Sequence, residues 1–320
     1  MALKIVNLSK RYKDRWVLRD ISFEVSPGEI FGIAGVAGAG KTSLLAAIAG
    51  SAPDNGGTFF YNGNEILRND RRAWLYYSPY QNGRSAWWRV FGNPAEPVGP
   101  EMIQKLDEEM TKSEGVVLFD DPFTGVDVHD RDRIREIIAS GRDRGLAIIL
   151  ACADFENVLA ICDRAAILSN TVITQTDTPK DLYENPETRD VATATGRCNL
   201  FAARRLSSSK SEVPEFHSID GGHRLFARSV ERRSLGAINQ NVTLGIRPEH
   251  ISISFGASFP EDNLLRARIT GVRFLGATTL VDLDCDGLSL QSIVLRLVGL
   301  NVGDECVVGL PPERVHIFRS

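Results

Sequence analysis

Residues 35–43 read GVAGAGKTS and fit the spacing G-x-x-x-x-G-K-[ST]. Glycines in such a loop allow successive backbone N–H groups to point inward around phosphate oxygens. A helix that begins at the end of the loop adds its partial positive charge. In this pattern the Lys41 ammonium would reach terminal phosphates and the Thr42 hydroxyl would ligate Mg²⁺. The motif therefore predicts a nucleoside triphosphate site formed by Gly35, Gly38, Ala39, Gly40, Lys41, Thr42 and Ser43.

A second candidate for the same chemistry is an acid that follows an apolar run. Residues 116–119 read VVLF and are followed by Asp120 and Asp121. A buried parallel strand that ends in an acid places a carboxylate at the carboxyl edge of the sheet, where it can hold Mg²⁺ through water. Because this run lies downstream of a phosphate loop, the sequence predicts that Asp120 binds the metal.

The elements that must position these groups alternate between strands and helices. Residues 30–34 and 146–150 predict short buried strands, and residues 41–49 predict a helix rich in Leu and Ala. Continuous apolar runs separated by helices suit a sheet that is covered on both faces. After about Arg197 the chain consists of many short β-rich segments, which favour a small barrel or sandwich.

Length and charge limit the partners that the chain can have. The 320 residues suit two domains, and the formal charge is 37 − 41 = −4. The part before residue 196 carries 22 basic and 28 acidic residues, and the remainder carries 15 and 13. Neither part has the basic excess of a nucleic-acid-binding protein, so we expect no nucleic acid partner.

Cysteine usage and hydropathy predict a cytosolic protein. The five cysteines are scattered and form no C-x-x-C pair, so neither a disulfide framework nor a zinc site is indicated. No run approaches the roughly 18 apolar residues that a membrane span requires, and the start does not look like a secretory signal. We therefore expect any membrane association to come through a partner.

Together these motifs resemble the ATP-binding subunits of ABC transporters, in particular importer subunits with an appended C-terminal domain. Further matching segments are spread along the chain: residues 8–12 (LSKRY), 27–30 (PGEI), 178–186 (TPKDLYENP), 245–250 (GIRPEH) and 312–318 (PERVHIF). The resemblance implies an α/β P-loop NTPase domain of ABC type, with a truncated helical subdomain, over residues 1–195. A small all-β, OB-like TOBE domain would follow over residues 196–320.

The resemblance also implies roles for single residues. Tyr12 corresponds to the aromatic that stacks on adenine, and Gln81 to the glutamine that touches Mg²⁺ and senses the membrane subunits. Asp120 matches the Mg²⁺-binding acid, and Asp127 lies in the short loop that crosses the dimer interface. ATP and Mg²⁺ are the implied cofactors. The implied partners are integral-membrane permease subunits and a second ABC ATPase subunit, in a hetero- or homodimer. The chain would then be cytoplasmic and peripheral on the inner face of the cell membrane.

Three departures from the family concern hydrolysis. Asp121 stands where the family has a glutamate that activates water, and it is one methylene shorter. Ala153 occupies the place of the switch histidine and cannot donate a hydrogen bond to the γ-phosphate. The signature loop is absent, with only Gly99 corresponding, and the 39 positions from Gln81 to Asp120 are too few for a full helical subdomain.

These departures favour ATP binding over ATP turnover and leave three functions open. The first is a catalytically degenerate ATP-binding subunit of a solute importer, paired with a second ATPase subunit. The second is a slow but genuine transport ATPase that uses Asp121 as its catalytic base. The third is a regulatory or scaffold protein that binds ATP outside transport.

Overall fold

The computed structural model describes residues 2–71, 74–77, 100–206, 213–227, 237–256, 263–295 and 299–319. The chain divides into two compact units, residues 1–184 and residues 185–320. The domain boundary predicted between residues 195 and 196 lies eleven residues beyond this division (195 − 184) and stays a prediction. Each unit has its own hydrophobic core.

The first unit is built on a six-stranded sheet. The strands of this sheet are β3 (Glu29–Ala34), β6 (Leu75–Tyr77), β7 (Val116–Asp120), β8 (Ala147–Ala151), β9 (Arg164–Ser169) and β10 (Val172–Asp177), in the spatial order β10-β9-β3-β8-β7-β6. The β3–β9, β3–β8, β7–β8 and β6–β7 pairs are parallel, and β10 pairs antiparallel with β9. The helices of the unit are α1 (Lys41–Ile48), α2 (Arg68–Arg71), α3 (Pro100–Lys112), α4 (Val128–Asp143), α5 (Phe155–Ile161) and α6 (Pro179–Glu184).

A second, antiparallel sheet of four strands completes this unit. Its order is β2-β1-β4-β5, with β1 (Leu3–Tyr12), β2 (Arg15–Val25), β4 (Thr58–Tyr61) and β5 (Asn64–Glu65). Phe23 of β2 stacks on Phe31 of β3, with ring centroids 5.0 Å apart, so the two sheets share one core. Every residue of β3, β7 and β8 is buried, as the continuous apolar runs predict for central parallel strands.

The second unit contains one α-helix, α7 (Arg189–Thr195), and two five-stranded sheets among its described residues. The strands are β11 (Asn199–Arg205), β12 (Glu215–Ser218), β13 (Arg224–Phe226), β14 (Asn241–Ile246), β15 (Ser252–Ser254), β16 (Asn263–Phe274), β17 (Thr278–Cys285), β18 (Leu288–Leu295), β19 (Glu305–Leu310) and β20 (His316–Arg319). One sheet has the order β13-β12-β11-β14-β20 and the other β15-β19-β16-β17-β18, and neighbouring strands pair antiparallel in both.

A buried arginine joins α7 to the β-sheets of this second unit. Arg247 is 1% exposed and follows directly after β14. Its guanidinium donates to the carbonyl of Ala192 at 2.8 Å and to the Thr195 hydroxyl at 2.7 Å, at the end of α7. A cation at the carboxyl end of a helix complements the helix dipole. Arg247 thus ties the last turn of α7 to β14, the strand that precedes this arginine in the second unit.

The fold class predicted from the sequence is confirmed in both parts. The first unit alternates strands and helices around a mainly parallel sheet, and the second consists largely of short antiparallel strands. Between β6 and β7 the structure describes residues 100–115, which hold α3. None of the described helices has the length and apolar character needed to cross a bilayer.

The second unit should lose stability in mild acid because of His316. This residue pairs with Gly245 across β14 and β20, and burial lowers its pKa to about 4. The positive charges of Arg247, His250 and Arg314 act in the same direction. An unfolded chain has a histidine pKa near 6.5, so it binds a proton that the folded unit rejects between these two pH values. The free energy of unfolding therefore decreases as the pH falls through this window.

Replacement His316→Gln should remove this part of the acid sensitivity. A shift of this size corresponds to a loss on the order of 3 kcal/mol between pH 7 and pH 4. Urea unfolding at both pH values should show a smaller loss for His316→Gln than for the wild type. The exposed histidine of β12 provides the control variant His217→Gln, which should behave like the wild type. An equal loss in all three proteins would contradict the prediction.

Candidate functional site

The predicted phosphate loop runs from the end of β3 to the start of α1. Its three glycines have left-handed backbone angles, with φ of 151° at Gly35, 80° at Gly38 and 108° at Gly40. A side chain at Gly35 would overlap the backbone carbonyl of Leu168, on neighbouring β9. A Cβ at Gly40 would lie 3.1 Å from the Val17 side chain. The loop is thus held by β9 on one side and by β2 on the other.

No side chain caps the backbone N–H groups at the start of α1. Gly40 is the N-cap residue, and the first turn of the helix contains no acidic residue. Uncapped N–H groups at a helix start need acceptors, and phosphate oxygens are suited to this role. A Cβ at Gly38 would meet no atom within 4 Å, so the loop faces open space there. These features fit a bound phosphate chain.

Lys41 lies folded against the loop. Its ammonium donates to the carbonyls of Gly35 at 2.7 Å and Val36 at 3.2 Å. Burial lowers the pKa of Lys41, while the negative charges of Asp121 and Asp120 oppose that shift. The ammonium therefore interacts with the loop carbonyls and with the acids at the end of β7. A bound phosphate would compete with these groups for the ammonium.

Thr42 and Asp120 meet at the carboxyl edge of the sheet. The Thr42 hydroxyl donates to Oδ1 of Asp120 at 3.2 Å, and Asp120 is almost fully buried. A hydroxyl and a carboxylate at this separation are ligand types that suit Mg²⁺, which usually keeps waters and phosphate oxygens as its other ligands. The described residues include no cluster of three or more His, Cys, Asp or Glu side chains that could hold a metal alone. The pair therefore fits a metal bound together with a nucleotide.

Asp121 adopts a strained backbone conformation beside this pair. Its φ is 54°, a left-handed value that is uncommon for a residue other than glycine. Its backbone N–H donates to the carbonyl of Ala151 at the end of β8, at 2.8 Å. Two residues beyond Ala151, Ala153 is exposed and precedes Asp154, the N-cap of α5. The loops that carry Asp121 and Ala153 thus begin side by side.

Tyr12 lies at the end of β1 with 52% of its surface exposed, so its ring is accessible for stacking. The Lys10 ammonium lies 4.7 Å from the ring centroid and also donates to the Pro53 carbonyl at 2.7 Å. Lys10, like Val17 behind Gly40, is a supporting residue that the motif analysis missed. Alternation along β1 could have indicated Lys10, because it lies two residues before Tyr12, whereas no sequence signal indicated Val17.

The remaining predicted residues fall into two groups. Ala39 and Ser43 lie in the loop and in the first turn of α1, and Asp127 caps α4 by accepting from the Asp130 N–H at 2.9 Å. Gln81 and Gly99 lie outside the described residues. The structure brings Lys41, Thr42, Asp120 and Asp121 together, and the roles assigned to all these residues stay predictions.

Comparison with known proteins matches both parts of the chain to families. The model of the ABC transporter family matches residues 18–124, and that of the TOBE domain matches residues 244–318. The molybdate/tungstate import ATP-binding protein WtpC of Pyrococcus horikoshii is 25% identical over 360 aligned positions, which cover 99% of each chain.

Two further relatives have names that refer to other solutes. The Fe(3+) ions import ATP-binding protein FbpC 2 of Rhizobium meliloti is 25% identical and aligns with 94% of this chain and 87% of its own. The spermidine/putrescine import ATP-binding protein PotA of Fusobacterium nucleatum is 26% identical, over 79% of this chain and 76% of its own. The resemblance stated from the motifs is therefore confirmed, and it extends over nearly the whole length.

Alanine substitution in the loop should separate the two structural roles of its glycines. Gly35→Ala combines a left-handed backbone with overlap at Leu168, so we expect unfolding free energy to fall by about 3 kcal/mol or more. Gly38→Ala has the backbone strain without the overlap, and we expect a loss of about 1 kcal/mol. Denaturant unfolding of the two variants provides the measurement. Equal losses would contradict the packing of Gly35 against β9.

Proposed function

Because the chain combines an ABC transporter domain with a TOBE domain, we propose that it is the ATP-binding subunit of an ABC-type solute importer. The observation that carries the proposal is the meeting of Lys41, Thr42 and Asp120 at one edge of the sheet, under an open glycine loop. In this role the loop and Lys41 bind the phosphates, and Thr42 and Asp120 hold the Mg²⁺ that neutralises phosphate charge. Tyr12 stacks on the base, and Gln81 supplies the further Mg²⁺ contact that the family resemblance implies.

The same chain is poorly equipped to hydrolyse ATP. A base must lie within hydrogen-bond reach of the water that it activates, and the Asp121 carboxylate is one methylene short of the glutamate found in the family. Ala153 offers no side-chain donor to charge that develops on the γ-phosphate. Since the signature loop is also missing from the sequence, we infer that turnover is weak or depends on a partner.

This degeneracy favours pairing with a second ATPase subunit. In the family, each ATP lies between the phosphate loop of one subunit and the signature loop of the other. A partner with a complete signature loop would close the site at Lys41, which two copies of this chain could not do. We propose that the pair docks on integral-membrane permease subunits, which would hold the chain at the inner face of the membrane.

One observation favours a second candidate, a slow transport ATPase that uses Asp121 as its base. Asp121 is the acid with the largest electrostatic effect on Lys41, so its carboxylate lies close to where the phosphates would bind. Its left-handed backbone is costly, and such strain often occurs at functional positions.

ATP binding should depend on the Lys41 ammonium and on magnesium. Removing a charged hydrogen-bond donor from the phosphates should weaken Mg-ATP binding by about 10- to 100-fold in Lys41→Ala. Titration calorimetry with Mg-ATP, repeated in EDTA, measures this directly. The exposed Lys180 of α6 gives the control variant Lys180→Ala, which should bind like the wild type. A wild-type protein that is folded but takes up no Mg-ATP would refute the proposed function.

Hydrolysis assays separate the two candidates. The purified chain should release phosphate at a rate close to that of uncatalysed ATP, and Asp121→Asn should leave that rate unchanged. Measurable turnover that Asp121→Asn removes would instead establish the slow ATPase. Loss of a base typically costs about 10²- to 10⁴-fold in rate, so the difference is well within the range of a phosphate-release assay.

A further inference from the structure

Arg135 of α4 contacts two loops at the carboxyl edge of the sheet. Its Nη2 donates to Oδ1 of Asn157 on α5 at 2.9 Å. Its guanidinium carbon lies 5.5 Å from the centroid of the Phe123 ring. Nη1 pairs with Asp132 on the same helix, and Nε is buried without a hydrogen-bond partner among the described residues. The two contacts that Arg135 makes outside α4, with Phe123 and Asn157, are therefore with residues close to the candidate site.

The first contact leads to Asp121. Phe123 is buried, two residues after Asp121, and the Thr124 N–H closes a turn on the Asp121 carbonyl at 3.3 Å. An arginine over an aromatic face is held by cation–π attraction, which is stronger where water is partly excluded. Arg135 thus holds the Phe123 ring, which lies within the turn that follows β7.

The second contact leads to Ala153. Asn157 is 4% exposed, and its Nδ2 approaches Oδ2 of Asp154 at 3.5 Å. The other oxygen of Asp154 accepts from the Glu156 N–H at 3.0 Å, which caps α5. Arg135 therefore reaches, through Asn157, the residue that directly follows Ala153.

We propose that Arg135 is a positioning residue. It fixes the loops of Asp121 and Ala153 relative to each other, so that both can contact the γ-phosphate. The proposal rests on the proposed function, in which these loops face the terminal phosphate. Asp121 and Ala153 have short side chains, so they have little reach with which to compensate for a displaced backbone. Ala153 in particular can contact a phosphate only through its backbone or its methyl group. The position of each loop must therefore be set by the residues packed against it. Arg135 contacts one such residue for each loop, Phe123 and Asn157.

The test compares affinities for Mg-ATP and Mg-ADP, which differ by the γ-phosphate. We expect Arg135→Gln to weaken Mg-ATP binding by about tenfold, the size of one lost charged hydrogen bond, and to leave Mg-ADP binding within about twofold. Asn157→Ala should have the same selective effect. Because the two side chains act in series, the double variant should lose no more than either single variant.

Two further variants keep the result interpretable. Arg142→Gln removes another arginine of α4, whose side chain pairs with its neighbour Asp143, and should change neither affinity. Arg135→Lys keeps the charge but not the planar fork, so it should fold even if the glutamine variant does not, and should still weaken Mg-ATP selectively.

Several outcomes would overturn the proposal. Parallel loss of Mg-ATP and Mg-ADP affinity would make Arg135 a structural residue only, and unchanged affinities would remove any role at the site. Additive losses in the double variant would break the link through Asn157. A wild-type protein that binds neither nucleotide is a different result, because it refutes the proposed function itself.

Discussion

The site depends on a geometric constraint, namely that neighbouring parallel strands end at one edge of a sheet. β3 delivers the phosphate loop there, β7 delivers Asp120 and Asp121, and β8 delivers the loop of Ala153. Strand register therefore sets the 3.2 Å contact between Thr42 and Asp120, although these residues are far apart in sequence. The Leu168 carbonyl of β9 packs directly against Gly35, which fixes the loop to the sheet.

Two of the departures from the family pattern, Asp121 and Ala153, lie in loops at this same edge, where the proposed function puts the γ-phosphate. The parts proposed to hold the nucleotide are present, since the glycine loop, Lys41, Thr42 and Asp120 have the arrangement that the motif predicts. The parts that would act on water are reduced, with an aspartate at 121 and an alanine at 153. A chain can keep ATP binding while losing turnover because ground-state binding and transition-state stabilisation use different groups.

The sequence predicted the parts that depend on local pattern. The phosphate loop follows from glycine spacing between a strand and a helix, and Asp120 follows from an apolar run that ends in an acid. The β-rich second unit follows from its short alternating segments. Alternation along β1 could have indicated Lys10, but the position of Val17 behind Gly40 and the Arg135–Asn157 contact could not be predicted, because both depend on tertiary packing.

The most direct test of the central claim is amide hydrogen exchange at residues 35–43, with and without nucleotide. If backbone N–H groups of this loop bind the phosphates, saturating Mg-ATP should slow exchange at Gly38, Gly40 and Lys41, and EDTA should weaken the effect. Strands β17 and β18 in the second unit provide an internal reference that should not change. Unaltered exchange in the loop at saturating Mg-ATP would contradict the account.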